Sequence, residues 1–340
     1  MILQSESWRR VCGLIEKRLG GEALTDEEAG VIYRLDARSP EAHLVRWAGD
    51  RLARELADNT AEIHAQIGLD AGPCTRGCRF CSFASCNNPA GPLKRTPLDA
   101  VLRYAEAFRK SGANLILLMT SAAFPFEELP AIIARVRETV GPDFPLLINT
   151  RDLDQSEARL LRSLGINGAY HAVRLSEGEL TDIPVEQRIR TLDNLTAAGL
   201  PLSYCIEPLG AEHTPADFLD RLHLHLRHHP VTGGVGRRIP VRGTGVEHCR
   251  KFDQMEQALF IALYRLLDPE TVLVGSANAT LAANAGANLF WAESGYNPRD
   301  FSAHTEADGV GRSVAHIARI YEETGWTLRK GPSAGWVFDR

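Results

Sequence analysis

EIHAQIGLDAGPCTRGCRFC, residues 62–81, combines an alternating apolar stretch with a loop that holds three cysteines. The alternation over residues 62–69 predicts a β-strand, and Cys74, Cys78 and Cys81 follow its carboxyl end in a C-x3-C-x2-C spacing. Three thiolates in one loop can converge on one metal centre, and sulfur ligands favour zinc, copper(I) or iron–sulfur clusters. Four cysteines would complete a zinc site or occupy every iron of a [4Fe–4S] cluster, whereas three leave one iron open.

A structural zinc site is the alternative, because short cysteine groups often bind zinc. Zinc normally needs a second ligand pair with a spacing such as C-x2-C or H-x3-H. The nearest candidates form no such pair: Cys86, His171, Cys205, His213, His248 and Cys249. The pattern therefore favours a cluster, and a non-catalytic barrel with a structural metal remains the alternative.

Length and composition limit the class of protein. The 340 residues can form one barrel-sized domain or two ordinary domains, and 44% hydrophobic with 24% charged residues is typical of soluble globular proteins. The net charge of −5 gives no reason to expect nucleic acid or an anionic membrane as a partner. The first 20 residues lack the features of a signal peptide, and no apolar run approaches the ~20 residues of a membrane span. We expect a cytoplasmic protein whose seven cysteines stay reduced.

Helices precede the cysteine loop. Thr25 and Glu28 have the spacing of a capping box, which predicts a helix that ends at Tyr33. Apolar residues at helical spacing predict another helix over residues 40–59. We expect residues 1–60 to form an N-terminal helical extension.

Strands then alternate with helices along the chain. Eight strands are predicted, at 62–69, 114–119, 145–149, 168–171, 201–207, 236–241, 271–274 and 288–291. Helices are predicted between them, at 97–110, 126–140, 155–164, 185–198, 215–228, 252–267 and 279–285. Short apolar strands separated by helices predict an α/β fold, a (β/α)8 TIM-type barrel over residues 61–300. Residues 301–340 are expected to form a C-terminal helix and tail that pack on the barrel.

The cysteine spacing, with the aromatic Phe80 before the third cysteine, is similar to the signature of the radical S-adenosylmethionine (SAM) superfamily. The helical preface, the Ala-Ala-Gly segment 197–199 before a strand that ends in Glu-Pro-Leu-Gly at 207–210, and segments 240–245 and 284–290 resemble its biotin synthase-like branch. The resemblance implies a [4Fe–4S] cluster on Cys74, Cys78 and Cys81, with SAM bound to the open iron. It also implies a reductant such as flavodoxin or ferredoxin, and cleavage of SAM to methionine and a 5′-deoxyadenosyl radical.

The same resemblance implies residues that bind SAM. Phe80 matches the aromatic residue near the adenine, and Arg188 resembles the arginine that meets the SAM carboxylate. Arg174 and Glu177 resemble an Arg-x-Glu motif, although their spacing is one residue longer. Segment 120–122 occupies the position of a Gly-Gly-Glu-like turn that holds the methionine amine. It lacks the glutamate, so backbone carbonyls or the Ser121 hydroxyl would have to serve.

A barrel of this kind places its chemistry at the carboxyl ends of the strands. The polar residues expected there are Asn149, Tyr170, His171, Glu207, Arg238, Ser276, Asn278, Glu293 and Tyr296. Of these, Glu207, Arg238 and Tyr296 are the candidate catalytic residues. Their polarity predicts a small polar substrate. The resemblance implies that this substrate undergoes rearrangement, fragmentation or C–C bond formation in cofactor or natural-product biosynthesis.

Sulfur insertion of the biotin synthase type is the alternative reaction, and in that enzyme it depends on a second cluster inside the barrel. In this sequence, two of the second cluster's cysteine positions correspond to Leu118 and Leu147, and the position of that cluster's arginine falls near Leu273. Cys205 alone lies near a ligand position. We therefore expect one cluster.

Overall fold

Parallel strands close into a barrel. The structure is a computed structural model that describes residues 5–87, 92–241, 243–276, 279–297 and 313–336. The strands are β1 (Thr60–Gly68), β2 (Leu115–Met119), β3 (Leu146–Asn149), β4 (Gly168–Tyr170), β5 (Leu202–Ser203), β6 (Ile206–Leu209), β7 (Thr232–Arg237), β8 (Leu273–Gly275), β9 (Leu289–Gly295) and β10 (Thr327–Leu328). The parallel order is β1-β2-β3-β4-β5-β7-β8-β9, and β9 pairs back with β1 to close the barrel. Strand β6 pairs with β7, and β10 pairs with the start of β1. The predicted (β/α)8 barrel is confirmed, with β5 and β6 as two halves of one stave against β7.

Helices precede and surround the barrel. They are α1 (Glu6–Leu19), α2 (Asp26–Tyr33), α3 (Pro40–Leu56), α4 (Leu98–Lys110), α5 (Leu129–Val140), α6 (Gln155–Ser163), α7 (Val185–Ala197), α8 (Pro215–Leu226), α9 (Gln254–Leu267), α10 (Thr280–Ala283) and α11 (Val314–Glu323). The capping box at Thr25 and Glu28 is present. Helix α3 packs closely on α9 at Gly49, where there is no room for a side chain. A Cβ on Gly49 would lie 2.7 Å from the Cα of Ala262. None of the helices in the described ranges is long and apolar enough to cross a membrane.

The predicted strand at 236–241 is wrong by about four residues, since β7 spans Thr232–Arg237. Its glycines concealed it, because glycine weakens a strand pattern. Neighbouring side chains occupy the space that these glycines leave open. A Cβ on Gly234 would lie 2.6 Å from the Cys205 sulfur, and one on Gly236 would lie 3.0 Å from Oε2 of Glu207.

Strand β2 shows which side chains face the barrel interior. Leu115 and Leu117 pack with Leu147 and Trp336 inside the barrel, whereas Leu118 belongs to the core between strands and helices. Side chains alternate along a strand, so the assignment of Leu118 to the interior was wrong by one residue. Leu147 does face the interior.

The C-terminal segment closes the end of the barrel where the strands begin. The backbone N–H of Arg329 donates to Ala61 O at 2.9 Å, and that of Ser333 donates to Asn114 O at 2.9 Å. The segment then forms a 3-10 turn, Ala334–Trp336, and Trp336 is 1% exposed. A Cβ on Gly168 would lie 2.4 Å from the indole ring, so this glycine in β4 makes room for Trp336. Trp336 thus forms an apolar floor inside the barrel.

Replacing Trp336 with alanine should lower the free energy of unfolding by about 3–5 kcal/mol, because it removes a large buried side chain from a closed interior. Trp47 on α3 is the matched control, since it is 50% exposed, and Trp47→Ala should cost much less. Chemical denaturation followed by circular dichroism gives both values. Equal losses in the two variants would contradict the role of Trp336 as the floor.

Candidate active site

A cavity of about 260 Å³ opens at the carboxyl ends of the strands. Cys74, Cys78 and Cys81 line one side of it together with Phe80. Residues on eight strands and on the loops after them line other parts of it: Gln66, Thr120, Ser121, Asn149, Asp152, Tyr170, His171, Arg174, Glu207, Arg238, Ser276 and Trp291. The cysteine loop and the strand ends therefore share one enclosed space.

Hydrogen bonds hold the cysteine loop in place. The backbone N–H of Cys74 donates to Phe83 O at 2.6 Å, and that of Ser85 donates to Cys74 O at 3.1 Å. The amide of Asn87 donates to the carbonyls of Cys78 at 3.2 Å and Cys81 at 2.8 Å. Asn87 was not singled out from the sequence, because a loop asparagine carries no signal of its own there. The loop is thus shaped by the protein itself.

Cys74 is buried, and Cys78 and Cys81 are partly buried. Burial raises the pKa of the Cys78 thiol to about 11 and that of the Cys81 thiol to about 12. Across the part of the chain that the structure describes, no three Cys, His, Asp or Glu side chains are grouped closely enough to hold one metal ion. A [4Fe–4S] cluster binds each thiolate to a different iron, so its ligands are spaced more widely.

Two arginines and a buried glutamate stand beside the cysteine loop. Arg188 is 7% exposed, and its Nε lies 3.4 Å from Oε2 of Glu177. The same oxygen accepts the backbone N–H of Arg174 at 3.0 Å. The charges of all three residues act on the Cys78 thiol. The fold thus brings Arg174, Glu177 and Arg188 together next to the cysteines, with Glu177 behind the arginines.

Asp152 is a second acid beside Arg188, and sequence reasoning missed it. Its Oδ1 lies 3.1 Å from Nη1 of Arg188 and 3.3 Å from Nε2 of His171. Burial alone would raise the pKa of Asp152, but the hydrogen bond with His171 and the charge of Arg188 lower it well below its usual range. Its position three residues after β3 is the signal that could have identified it. Asp152 stays ionised and fixes the guanidinium of Arg188.

Glu207 forms the far side of the cavity with Tyr170. The Tyr170 hydroxyl donates to Oε1 of Glu207 at 2.6 Å, and Nη2 of Arg174 lies 3.9 Å from the same oxygen. Burial and the charge of Glu207 raise the pKa of Tyr170 well above its usual value. The phenol therefore stays protonated and holds the carboxylate of Glu207 in one orientation.

Arg238 lines the cavity but is already paired. It is 2% exposed and makes a two-point contact with Glu212, in which Nη2 donates to Oε2 at 2.8 Å and Nη1 contacts Oε1. Its Nε has no hydrogen-bond partner among the described residues. Arg238 can therefore offer one N–H to a ligand.

Tyr296 was expected to face the substrate, but the structure places it elsewhere. It packs with Ala71, Cys74, Phe83 and Met119 and does not line the cavity. The backbones also approach closely here, since a Cβ on Gly68 would lie 1.8 Å from Tyr296 O. Glu293 also lies outside the cavity lining, and Asn278 falls outside the described residues.

The protein was compared with known families, curated proteins and solved structures. No protein-family model matches the chain. Biotin synthase of Desulforudis audaxviator is 27% identical over 266 residues, which cover 75% of this chain and 79% of the relative. Biotin synthase of Rippkaea orientalis is 26% identical over 277 residues, with 76% and 74% covered.

Two solved structures match the fold over nearly the whole chain. Methylornithine synthase superposes with a TM-score of 0.78 at 17% identity and covers 95% of this chain and 98% of its own. The FeFe-hydrogenase maturase HydG of Carboxydothermus hydrogenoformans has a TM-score of 0.78 at 19% identity, with 96% and 81% covered. At these sequence identities the two structures show the fold alone.

In the metal-free protein at pH 8, iodoacetamide should modify Cys86 at least about tenfold faster than Cys78 and Cys81. Alkylation needs the thiolate, and burial raises the pKa of the two loop thiols to about 11 and about 12, whereas Cys86 is exposed. Modification of Cys78 should speed up with pH until about pH 11. Mass spectrometry of peptides measures the rates, and labelling in urea is the control. Equal rates in the native protein would contradict the buried placement of the loop.

Proposed function

Since this chain belongs to the biotin synthase-like branch of the radical SAM superfamily, we propose that it binds a [4Fe–4S] cluster through Cys74, Cys78 and Cys81. Members of this superfamily are enzymes that use such a cluster and SAM. A cluster held there would supply the one electron that cleaves the C5′–S bond of SAM, which would yield methionine and a 5′-deoxyadenosyl radical able to abstract a hydrogen atom from a small polar substrate.

One observation carries the proposal. The three cysteines line the same cavity as Arg174, Arg188 and a set of polar strand ends. Three thiolates leave one iron without a protein ligand, and the amino and carboxylate groups of SAM can fill that position. The donor set and the enclosed space around it both fit these cofactors.

The residues around the loop match the groups of SAM. Arg188 is held by Asp152 and Glu177, so its planar guanidinium is oriented to receive a carboxylate. Arg174 lies beside it and adds positive charge. Phe80 lines the cavity within the loop and can stack on the adenine. Ser121 lines the cavity after β2 and can accept a hydrogen bond from the amino group.

The far side of the cavity is assigned to the substrate. Glu207 is oriented by Tyr170, and Arg238 retains one N–H for a ligand. A carboxylate and a guanidinium on one wall suit a small molecule that carries polar groups. Tyr296 receives no substrate role, because its ring packs behind the cysteine loop. The reaction we propose is a rearrangement, a fragmentation or C–C bond formation, with flavodoxin or ferredoxin as the electron donor.

Sulfur insertion is the competing reaction, since the curated relatives are named biotin synthase. It would need a second cluster, yet Leu117 and Leu147 occupy the barrel interior near the positions that the second cluster's cysteines would take. Cys205 lines the cavity as a single thiol on the opposite wall. We therefore propose one cluster.

Anaerobic reconstitution with iron and sulfide tests the proposal, with Cys78→Ser as the variant and Cys86→Ser as the matched control. Wild type and Cys86→Ser should gain about four irons per chain, absorb broadly near 400 nm and form 5′-deoxyadenosine from SAM on reduction. Cys78→Ser should lose the SAM cleavage. A colourless protein that binds zinc and cleaves no SAM would replace the proposal with a structural metal barrel. Clearly more than four irons, reduced by Cys205→Ala, would favour sulfur insertion.

Replacing Arg188 with alanine should weaken SAM binding roughly tenfold or more, because a charge-assisted hydrogen bond is worth about 1.5–3 kcal/mol. Arg188→Lys keeps the charge beside Asp152 and Glu177 but loses the fork, so it should fall between wild type and alanine. Arg190 on the same helix is exposed, and Arg190→Ala is the control. Equilibrium dialysis of the reconstituted proteins measures the affinity. An unchanged affinity in Arg188→Ala would assign the carboxylate to another residue.

A further inference from the structure

Asp70 is a buried acid that the proposed function leaves unexplained. It follows β1, is fully buried and makes two hydrogen bonds with Ser121, which follows the neighbouring strand β2. Its Oδ1 accepts the backbone N–H of Ser121 at 2.7 Å, and its Oδ2 accepts the Ser121 hydroxyl at 2.5 Å. Burying a carboxylate is costly unless it is well paired. Oδ2 also accepts the backbone N–H of Gly72 at 3.4 Å, so Ser121 is the closer of its two partners.

These bonds determine what the Ser121 hydroxyl can offer to the cavity. A hydroxyl has one proton and two lone pairs. The proton points to Asp70, and one lone pair accepts the backbone N–H of Ala123 at 3.2 Å. One lone pair remains, and Ser121 lines the cavity. Toward a ligand, Ser121 is therefore an acceptor and not a donor.

Segment 120–122 also lies against the cysteine loop. Ala122 and Cys81 both pack on a cluster that contains Cys74 and Met119. An acceptor on Ser121 thus faces the region assigned to the methionine part of SAM. An ammonium group has only donors, so it matches an oxygen that can only accept.

We propose that Asp70 is a positioning residue that fixes Ser121 as an acceptor for the α-amino group of SAM. This inference rests on the proposed function. The carboxyl group of Asp70 stands one hydrogen bond behind the hydroxyl and holds the hydroxyl proton away from the cavity. The pair Asp70–Ser121 thereby takes the role of the glutamate that the turn after β2 lacks.

A plain alternative is that Asp70 only ties β1 to β2. The two roles differ in what they do to ligands. A structural tie supports the whole site, so its loss weakens every ligand that binds there. Loss of a positioning role weakens only those ligands that carry the α-amino group.

The reconstituted full chain is tested with SAM and with a SAM analogue that lacks the α-amino group. In Asp70→Asn the new amide can donate to Ser121 Oγ, which turns the hydroxyl proton toward the cavity. Asp70→Asn and Ser121→Ala should each weaken SAM binding about tenfold, with a matching rise in KM and little change in kcat. The analogue should bind wild type and both variants within about twofold. The double variant should bind SAM no more weakly than Ser121→Ala.

Asn87→Ala is the control for a loosened site, because Asn87 holds the loop carbonyls and does not line the cavity. It should weaken SAM and the analogue alike. Equal weakening of both ligands in Asp70→Asn, or unchanged SAM affinity, would overturn the inference. Should Asp70→Asn fail to fold, Ser121→Ala with the two ligands decides alone. Wild type that binds no SAM would overturn the proposed function itself, an outcome visible before any variant is measured.

Discussion

The pairing of β1 with β9 is the constraint on which the rest of the structure depends. It runs from Glu62 against Leu289 to Gly68 against Gly295, and it joins the last barrel strand to the first. Because β1 also pairs with β2 over five positions, it cannot shift along one neighbour without breaking the ladder with the other. The cysteine loop leaves the end of β1, so barrel closure fixes where the three thiols stand relative to every other strand end.

Three arginines that line the cavity each lie near an acidic side chain. Arg188 has Asp152 and Glu177, Arg238 has Glu212, and Arg174 lies near Glu207. A charge taken out of water needs such a partner. The partners also remove freedom from the guanidinium groups, which are flexible when exposed. The cavity therefore presents guanidinium groups that are already oriented.

Much of the fold could be predicted from the sequence, because local signals agree with the tertiary structure. The capping box at Thr25, the apolar strands and the spacing of the three cysteines all depend on nearby residues. The predictions that were wrong or missing concern residues whose placement depends on contacts with residues far away in the sequence. Strand β7 is glycine-rich because Cys205 and Glu207 occupy its space, and Asp152 matters because Arg188 and His171 fold against it. Tyr296 packs with Ala71, Phe83 and Met119, contacts that the local sequence does not reveal.

The floor formed by Trp336 bears on the order in which the molecule is made. All barrel strands precede this residue in the chain, so a ribosome completes every stave of the barrel before the indole that fills its base has been added. Until then the side chains of Leu115, Leu117 and Leu147 lack their contact with Trp336. The cysteine loop is therefore synthesised early, and the floor of the barrel is completed after all the strands.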